Sequence, residues 1–300
     1  MGDYILIEEK IRSVFGMGKK IIQKKRIFGG DINEAYGLCL NDGTKVFLKT
    51  NTVEHAGFFT AEQHGLAAIA KTGTISTPAV YGSGIDPEKH CSYLMMEFLE
   101  SARPAADAWE RFAAELSAMH QADTNAFVPG GSYGFWEDNY IGAGRQKNNA
   151  DQSWVSFYRK CRLQPQIEKA SHYFDAKQRK RFGQLLDRLG DYLPEPEHPS
   201  LLHGDLWSGN VICGNDGKLW LIDPAVYVGH AEADLAMTEL FGGFPALFYE
   251  CYARQAGLDV GYEQQRDLYQ LYHLLNHLNL FGSSYLAAVL NFLHKYGPNT

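Results

Sequence analysis

The sequence lacks the motifs that mark several large classes of protein. Its five cysteines are scattered through 300 residues without a Cys-x-x-Cys pair, and its eleven histidines form no His-Glu-x-x-His motif. These absences exclude a disulfide framework and the zinc sites built on those motifs, and free thiols in a reducing compartment are expected. A Gly-Lys-Ser/Thr sequence is also missing, which excludes a Walker-type phosphate loop.

Long apolar runs and an excess of positive charge are missing as well. Because no segment is apolar enough to span a bilayer or to act as a signal peptide, we expect a cytoplasmic protein without membrane contact. The formal net charge of -7 argues against nucleic acid as a partner, since phosphate contacts require clustered Lys and Arg. One basic cluster, at residues 19–26, is interpreted as a solvated surface.

What remains is an ordinary globular composition, with 45% apolar and 21% charged residues, in a chain long enough for two lobes. Alternating apolar patterns and turn signals predict strands in the first hundred residues, at 20–28, 34–40, 45–49, 79–82 and 91–96. Helical spacing predicts helices at 5–14 and 53–71. The triplet at residues 41–43, Asn-Asp-Gly, predicts a hairpin turn.

Beyond Leu99 the pattern becomes helical. Helices are predicted at residues 107–120, 153–170, 175–191, 231–240, 245–255 and 264–290. Residues 130–134 and 142–149 are predicted as loops. We therefore predict an α+β protein with a β-rich N-lobe at residues 1–97 and a mainly helical C-lobe at residues 98–300.

One segment carries a pattern typical of phosphoryl transfer. In the run His-Gly-Asp-Leu-Trp-Ser-Gly-Asn at residues 203–210, Asp205 precedes Asn210 by five residues, and Asp223 follows thirteen residues later. Transfer from ATP needs a carboxylate that orients and deprotonates the attacking hydroxyl, and oxygen ligands for Mg²⁺. We predict Asp205 as the catalytic base and Asn210 with Asp223 as the metal ligands. A two-stranded hairpin around residues 215–217 is predicted to bring those ligands together. Alternatively, Asp205 caps a turn and Asp223 ends a strand.

The N-lobe contains candidates for the nucleotide site. Gly29 and Gly30 join two strands, where their backbone could approach phosphates, although such a pair is as often an ordinary turn. Lys49 ends a strand and is predicted to contact the phosphates, with Glu62 on the next helix as its partner. A solvated strand end and a polar helix face are the alternatives. A hinge after residue 96 would offer backbone groups of Glu97 and Leu99 to adenine.

Taken together, these motifs resemble the protein-kinase-like superfamily and, more closely, its fructosamine kinase (ketosamine 3-kinase) family. The catalytic loop with Trp207, the segments 223–225 and 229–237, and the runs at 138–142, 154–163 and 239–244 carry the resemblance, which extends from about residue 29 to 252. It implies a bilobal protein-kinase-like fold and transfer of the γ-phosphate of ATP to the C3 hydroxyl of a ketosamine. The unstable product then releases the amine, which amounts to deglycation.

The resemblance has further implications. Ribulosamines and erythrulosamines are the expected sugars, on small amines or on glycated proteins, and fructosamines are possible. Asp234 resembles the helix residue that braces the catalytic loop, and His203 is placed with it as a supporting residue. Some members carry a cysteine in the glycine-rich loop and form disulfide-linked dimers. Asp31 occupies that stretch here, so we expect a monomer or non-covalent dimer.

Three further residues are predicted to contact the substrate. Trp207, two residues after the base, could wall the sugar site, with core packing as the alternative. Asn139 and Gln146 are interpreted as loop residues that touch the sugar.

Two other functions stay open: a kinase for another hydroxylated amine, of the aminoglycoside or choline type, and a nucleotide-binding pseudokinase scaffold. The scaffold would be expected to lose one of the four residues Asp205, Asn210, Asp223 and Lys49, and all four are present.

Overall fold

The computed structural model describes residues 5–28, 32–257 and 261–296. The predicted α+β class is confirmed, with the sheet in the N-terminal part and helices dominating the rest. The chain divides into two compact units. Unit 1 comprises Met1–Ala108 and Val211–Pro224, and unit 2 comprises Trp109–Asn210 and Ala225–Thr300. The structure thus groups residues 98–108 and 211–224 with the N-terminal part, and the functional division at residue 97 stays a prediction.

The described residues form five longer strands and six short ones. In chain order they are β1 (Ile21–Ile27), β2 (Glu34–Leu40), β3 (Lys45–Asn51), β4 (Val80–Asp86), β5 (Cys91–Glu97), β6 (Asn139–Ile141), β7 (Gly144–Gln146), β8 (Ser200–Leu202), β9 (Val211–Cys213), β10 (Leu219–Leu221) and β11 (Tyr227–Gly229). The predicted strands of the N-terminal part are confirmed. The pairs β6–β7 and β8–β11 were not predicted, because three residues are too few to show a period of two.

The described residues also form ten α-helices. They are α1 (Ile7–Phe15), α2 (Ala56–Thr72), α3 (Ala108–His120), α4 (Trp154–Phe157), α5 (Gln164–Lys169), α6 (Ala176–Asp187), α7 (Glu232–Leu240), α8 (Ala246–Ala256), α9 (Tyr262–Phe281) and α10 (Leu286–Tyr296). No helix among the described residues combines the length and the apolar character needed to cross a membrane.

Two predicted helices are interrupted. The single helix predicted at 264–290 is wrong. Helix α9 ends at Phe281 and is followed by Gly282, whose φ of 86° is a left-handed conformation that glycine adopts without strain. Helix α10 begins after one 3₁₀ turn. The helix predicted at 153–170 contains a π-helical segment, Tyr158–Leu163, between α4 and α5. This segment ends just before Pro165, which cannot donate a backbone hydrogen bond.

The sheet of unit 1 is antiparallel, in the order β1-β2-β3-β5-β4, and helices cover both of its faces. One face forms an apolar cluster with α1 through Ile7, Ile11, Leu38, Leu40, Val46, Leu48, Tyr93 and Met95. The other face packs on α2 through Phe59, Leu66, Leu94 and Met96. Because side chains alternate along a strand, Lys49 leaves the sheet on the α2 face, opposite to Leu48.

The predicted hairpin at residues 211–223 is confirmed, and it belongs to unit 1. Strands β9 and β10 pair antiparallel, with Val211 opposite Leu221. The Ala102 N–H donates to the Cys213 carbonyl at 3.0 Å, and the Leu221 N–H donates to the Ser76 carbonyl at 2.9 Å. These bonds explain why the hairpin groups with the N-terminal residues.

Candidate active site

Lys49 joins two carboxylates within unit 1. Its ammonium donates to Glu62 Oε1 at 2.7 Å and also forms a short hydrogen bond to Asp223. Both members of the Lys49–Glu62 pair are nearly buried, with side-chain exposures of 10% and 12%, whereas the side chain of Asp223 is 43% exposed. The predicted Lys49–Glu62 pair is therefore formed, and α2 supplies the glutamate because Lys49 points to that face of the sheet.

Burial and charge act against each other in this cluster. Burial raises the pKa of Glu62, although the ammonium of Lys49 opposes the shift. Burial alone would lower the pKa of Lys49, but the negative charges of Asp223 and Glu62 outweigh it, so that this pKa is raised. Lys49 is consequently charged, and its position is fixed from two sides.

Asp223 has an unusual backbone conformation. Its φ of 54° lies in the left-handed region, which only His90 shares among the described residues other than glycine. Such a conformation costs free energy for a residue with a Cβ and is concentrated at functional sites. The backbone thus turns sharply at the residue whose carboxylate was predicted to bind metal.

The segment after β5 borders a cavity of about 270 Å³ in unit 1. Its lining residues are Glu97, Phe98, Leu99, Glu100, Gly214, Asn215, Asp216 and Trp220. The Glu97 carboxylate accepts a hydrogen bond from the Ala79 N–H at 3.1 Å, so its side chain is engaged within the sheet. The structure therefore places both predicted hinge residues, Glu97 and Leu99, on one concave surface.

The catalytic-loop motif forms a compact turn in unit 2. The side-chain amide of Asn210 donates to the backbone carbonyl of Asp205 at 2.8 Å and to its carboxylate at 3.2 Å. The amide oxygen of Asn210 accepts no hydrogen bond within the described parts of the chain. Asn210 thus holds Asp205 in place with its donors, while its oxygen stays available to a ligand.

Asp234 braces the backbone of this turn. Its carboxylate accepts hydrogen bonds from the N–H groups of His203 at 2.7 Å and of Gly204 at 2.9 Å. A third bond, of 3.3 Å, joins it to Nε2 of His120. Burial alone would raise the pKa of Asp234, but these bonds and the neighbouring histidines keep it below the usual value. Asp234 is therefore a buried anion that fixes the loop.

Gly204 is required by a close backbone contact. Its φ is 82°, and a Cβ at this position would lie 2.0 Å from the carbonyl oxygen of Ala225. Ala225 in turn donates its N–H to the His203 carbonyl at 2.8 Å. The turn that presents Asp205 is thus packed directly against the backbone at Ala225, and no other residue fits there without displacing it.

His273 is a neighbour of Asp205 that no sequence motif indicates. Its Nδ1 lies 4.0 Å from a carboxylate oxygen of Asp205. Burial lowers the pKa of His273 to about 3, so the ring is neutral and the approach is not an ion pair. His273 and His120 lie 68 and 85 residues from Asp205 along the chain, and no local motif marks either of them.

Trp207 does not belong to the core. It is 36% exposed, its ring lies over Gly209, and the edge of Phe241 approaches it with a centroid distance of 6.2 Å. The alternative that Trp207 packs in the interior is therefore wrong. Its predicted role as a wall of the sugar site stays a prediction, which an exposed ring beside the base permits.

Asn139 and Gln146 are not loop residues, as the sequence had suggested. They belong to β6 and β7, pair across this short hairpin, and are only 4% and 2% exposed. Asn139 donates to the Val226 carbonyl at 2.7 Å, and Gln146 donates to the Ala225 carbonyl at 3.0 Å. Their side chains are engaged inside unit 2, and contact with a sugar stays a prediction that these bonds disfavour.

The remaining predictions concern glycines and metal. Gly29, Gly30 and Asp31 lie outside the described residues. Within the described residues, no three His, Cys, Asp or Glu side chains are grouped so that they could hold a metal ion by themselves. Asn210 and Asp223 belong to different units, and their role as magnesium ligands stays a prediction.

Comparison with known proteins agrees with these features. Residues 4–297 match the model of the family described as fructosamine kinase. A Synechocystis protein named as a probable ketoamine kinase is 40% identical over 290 residues, which are 93% of this chain and 92% of that protein. A chloroplastic protein-ribulosamine 3-kinase from Oryza sativa subsp. indica is 37% identical over 293 residues, or 94% and 80% of the two chains. A Haemophilus somnus crystal structure assigned to fructosamine-3-kinase has a TM-score of 0.86 at 29% identity, covering 97% and 96%.

Proposed function

Because this chain belongs to the fructosamine kinase family, we propose that it transfers the γ-phosphate of ATP to the C3 hydroxyl of a ketosamine. Family membership makes it a phosphotransferase with ATP as donor and a hydroxyl as acceptor. The relative from Oryza is named for ribulosamines on proteins, which favours ribulosamines and erythrulosamines, on small amines or glycated proteins, as substrates. The unstable 3-phosphate would then break down and release the amine.

The observation that carries the proposal is the construction of the turn at Asp205. Asn210 bonds to both its backbone and its carboxylate, and Asp234 holds the two preceding N–H groups. With a side-chain exposure of 23%, the Asp205 carboxylate is accessible to a substrate yet fixed in direction. In the proposed reaction it orients the sugar hydroxyl and accepts its proton, which is the task of the base in phosphoryl transfer.

The other residues would bind and orient the nucleotide. Lys49, fixed by Glu62, would contact the α- and β-phosphates, and backbone groups of Glu97 and Leu99 would bind adenine in the cavity that they border. Gly29 and Gly30 would approach the phosphates. The hard oxygens of Asn210 and Asp223 suit Mg²⁺, which when bound neutralises charge on the β- and γ-phosphates. On the acceptor side, the ring of Trp207 would form one wall of the sugar site.

The proposal is tested by measuring ATP consumption with ribulose-lysine, erythrulose-lysine and fructose-lysine as acceptors. We expect turnover that depends on the acceptor, higher kcat/KM for the first two, and release of free lysine from the products. Choline and an aminoglycoside serve as alternative acceptors. Turnover with either of them but with no ketosamine would overturn the substrate assignment, and ATP binding without any transfer would favour the pseudokinase.

A further inference from the structure

Arg162 is a buried cation that the proposed reaction does not use. Its side chain is 0% exposed, and it has no carboxylate partner among residues 5–28, 32–257 and 261–296. The guanidinium lies 3.8 Å above the ring centroid of Tyr227 and donates to the carbonyls of Lys147 at 2.6 Å and Cys161 at 3.0 Å. Because an unpaired buried charge is costly, its surroundings must be organised to receive it.

The charge of Arg162 fixes the direction of the adjacent amide. Its Nη2 lies 2.7 Å from Oδ1 of Asn148, and a guanidinium can only donate. Asn148 must therefore present its oxygen to Arg162 and its NH₂ group to the opposite side. There the NH₂ group donates to Oδ1 of Asn139 at 3.0 Å and to the Glu137 carbonyl at 3.0 Å.

The orientation of Asn148 determines the orientation of two further side-chain amides. Oδ1 of Asn139 also accepts from Gln146 at 2.8 Å, so the NH₂ group of Asn139 must face the Val226 carbonyl. The NH₂ group of Gln146 reaches the Ala225 carbonyl, and its oxygen accepts from the Tyr272 hydroxyl at 2.7 Å. Every donor in this amide relay, formed by Asn148, Asn139 and Gln146, is thereby oriented by one buried charge.

The amide relay ends at the backbone that supports the catalytic turn. The carbonyls of Ala225 and Val226 accept its last two bonds. The carbonyl oxygen of Ala225 also leaves room only for glycine at residue 204. The N–H of Ala225 donates to the carbonyl of His203. A displacement of Ala225 would therefore move the turn that carries Asp205.

We infer that Arg162 is a positioning residue for the reaction, because through the amide relay it sets the place of Ala225 and hence the orientation of Asp205. This inference rests on the proposed function. It assigns Asn139 and Gln146 to the support of the base, in place of a contact with the sugar. Displacements of about 1 Å at a catalytic group are sufficient to cost on the order of a hundredfold in rate.

The substitution Asn148→Asp separates positioning from folding. A carboxylate still accepts from Arg162, and forms an ion pair with it, but it cannot donate to Asn139. The relay is thus interrupted at its first step while the buried charge stays compensated. With ribulose-lysine we expect kcat to fall about tenfold to a hundredfold, with KM for ATP within about twofold of wild type. Asn149→Asp makes the same change at the exposed neighbouring residue and should leave both parameters unchanged.

The outcomes are distinct. Wild-type protein and Asn149→Asp that transfer phosphate to no ketosamine would refute the proposed function. An active wild type together with a stable Asn148→Asp variant of normal kcat would refute the present inference. If Asn148→Asp does not fold, Tyr272→Phe decides, because it removes the hydroxyl bonded to the Gln146 oxygen and thereby loosens the last amide of the relay. We expect a severalfold lower kcat with unchanged KM for ATP, and a normal kcat would overturn the inference.

Discussion

Glu62 and Asp223 in unit 1 are held by different means from Asp234 in unit 2. In unit 1, Glu62 and Asp223 both bond to the ammonium of Lys49, so charge is balanced by charge. In unit 2, Asp234 is held by the backbone N–H groups of His203 and Gly204 and by the ring of His120. The positions of Glu62 and Asp223 therefore depend on the charges around them, whereas the position of Asp234 depends on the direction of its hydrogen bonds.

This difference separates two kinds of contribution to catalysis. A cluster balanced by charge responds directly to a charged ligand, as ATP with Mg²⁺ is. A carboxylate that accepts hydrogen bonds from backbone N–H groups instead keeps its position and that of the bonded backbone, because these donors are fixed in direction. We therefore expect substitutions in unit 1 to act mainly on the nucleotide, and substitutions at the turn of unit 2 to act mainly on the chemical step.

The largest effect is expected for Asp205→Ala. Without the base, kcat should fall about 10²- to 10⁴-fold, while the Kd for ATP should stay near wild type because the base contacts the acceptor. Steady-state kinetics and equilibrium binding of ATP measure the two quantities. Asp187→Ala, on an exposed helix surface, is the control. Equal losses in ATP affinity and in kcat would contradict the expectation that the turn in unit 2 affects mainly the chemical step.

Asp223→Asn is expected to have the opposite profile. It removes the charge of the proposed metal ligand, so the Mg²⁺ concentration for half-maximal activity should rise roughly tenfold or more, together with KM for ATP. A titration of activity with Mg²⁺ at fixed ATP measures the effect, and Asp42→Asn, at an exposed position in the turn between β2 and β3 of the same unit, is the control. An unchanged Mg²⁺ requirement would mean that the metal is held by other residues.

The sequence predicted those parts of the fold and site that depend on local spacing. The hairpin turns at residues 41–43 and 215–217 and the five-strand sheet follow from turn signals and alternation, which neighbouring residues determine. The Lys49–Glu62 pair was predicted from the phosphoryl-transfer pattern. Asp205 and Asn210 lie within one short motif and could therefore be found, but the bonds between them were not predicted.

Features that depend on distant residues could not be predicted. His273 in α9 lies beside Asp205, and His120 in α3 bonds to Asp234, which braces the turn at residues 203–205. Arg162 lies in a π-helical segment, which the hydrophobic periodicity of the sequence does not indicate. The burial of Asn139 and Gln146 likewise depends on carbonyls 79 to 87 residues away. A single sequence shows which residues are polar, but not which of them fold into the interior.

Trp207→Ala tests whether the exposed surface of unit 2 recognises the sugar. Loss of a packed aromatic contact should cost on the order of 1–3 kcal/mol, about tenfold to a hundredfold in kcat/KM for the ketosamine. KM for ATP and the melting temperature should change little, because the ring is outside the core. Trp136→Ala removes another exposed tryptophan of unit 2 and is the control. Equal kinetics in both variants would show that Trp207 does not contact the sugar.

The smallest expected effect on activity comes from the neutral histidines of unit 2, which we expect to change the pH dependence of stability instead. Burial lowers the pKa of His230 to about 4, and the ring bonds through Nδ1 to the Tyr269 hydroxyl at 2.8 Å. The unfolded chain, with an ordinary pKa of about 6.5, therefore binds a proton that the folded protein excludes. The stabilisation is complete above about pH 6.5 and is lost as the pH falls toward about 4, by about 1.4 kcal/mol per pH unit for each such histidine.

His230→Gln should flatten this dependence. An amide can still bond to Tyr269 but does not titrate, so the free energy of unfolding should decline less steeply between pH 7 and pH 5 than in wild type. Urea denaturation at several pH values measures it, and His172→Gln, at an exposed position, should follow wild type. The anion Asp234 does not obscure the result, because its lowered pKa makes stability decline only below the ordinary aspartate pKa of about 3.9. Identical slopes for wild type and His230→Gln would show that His230 already titrates normally in the folded protein, and that unit 2 does not depend on keeping this ring neutral.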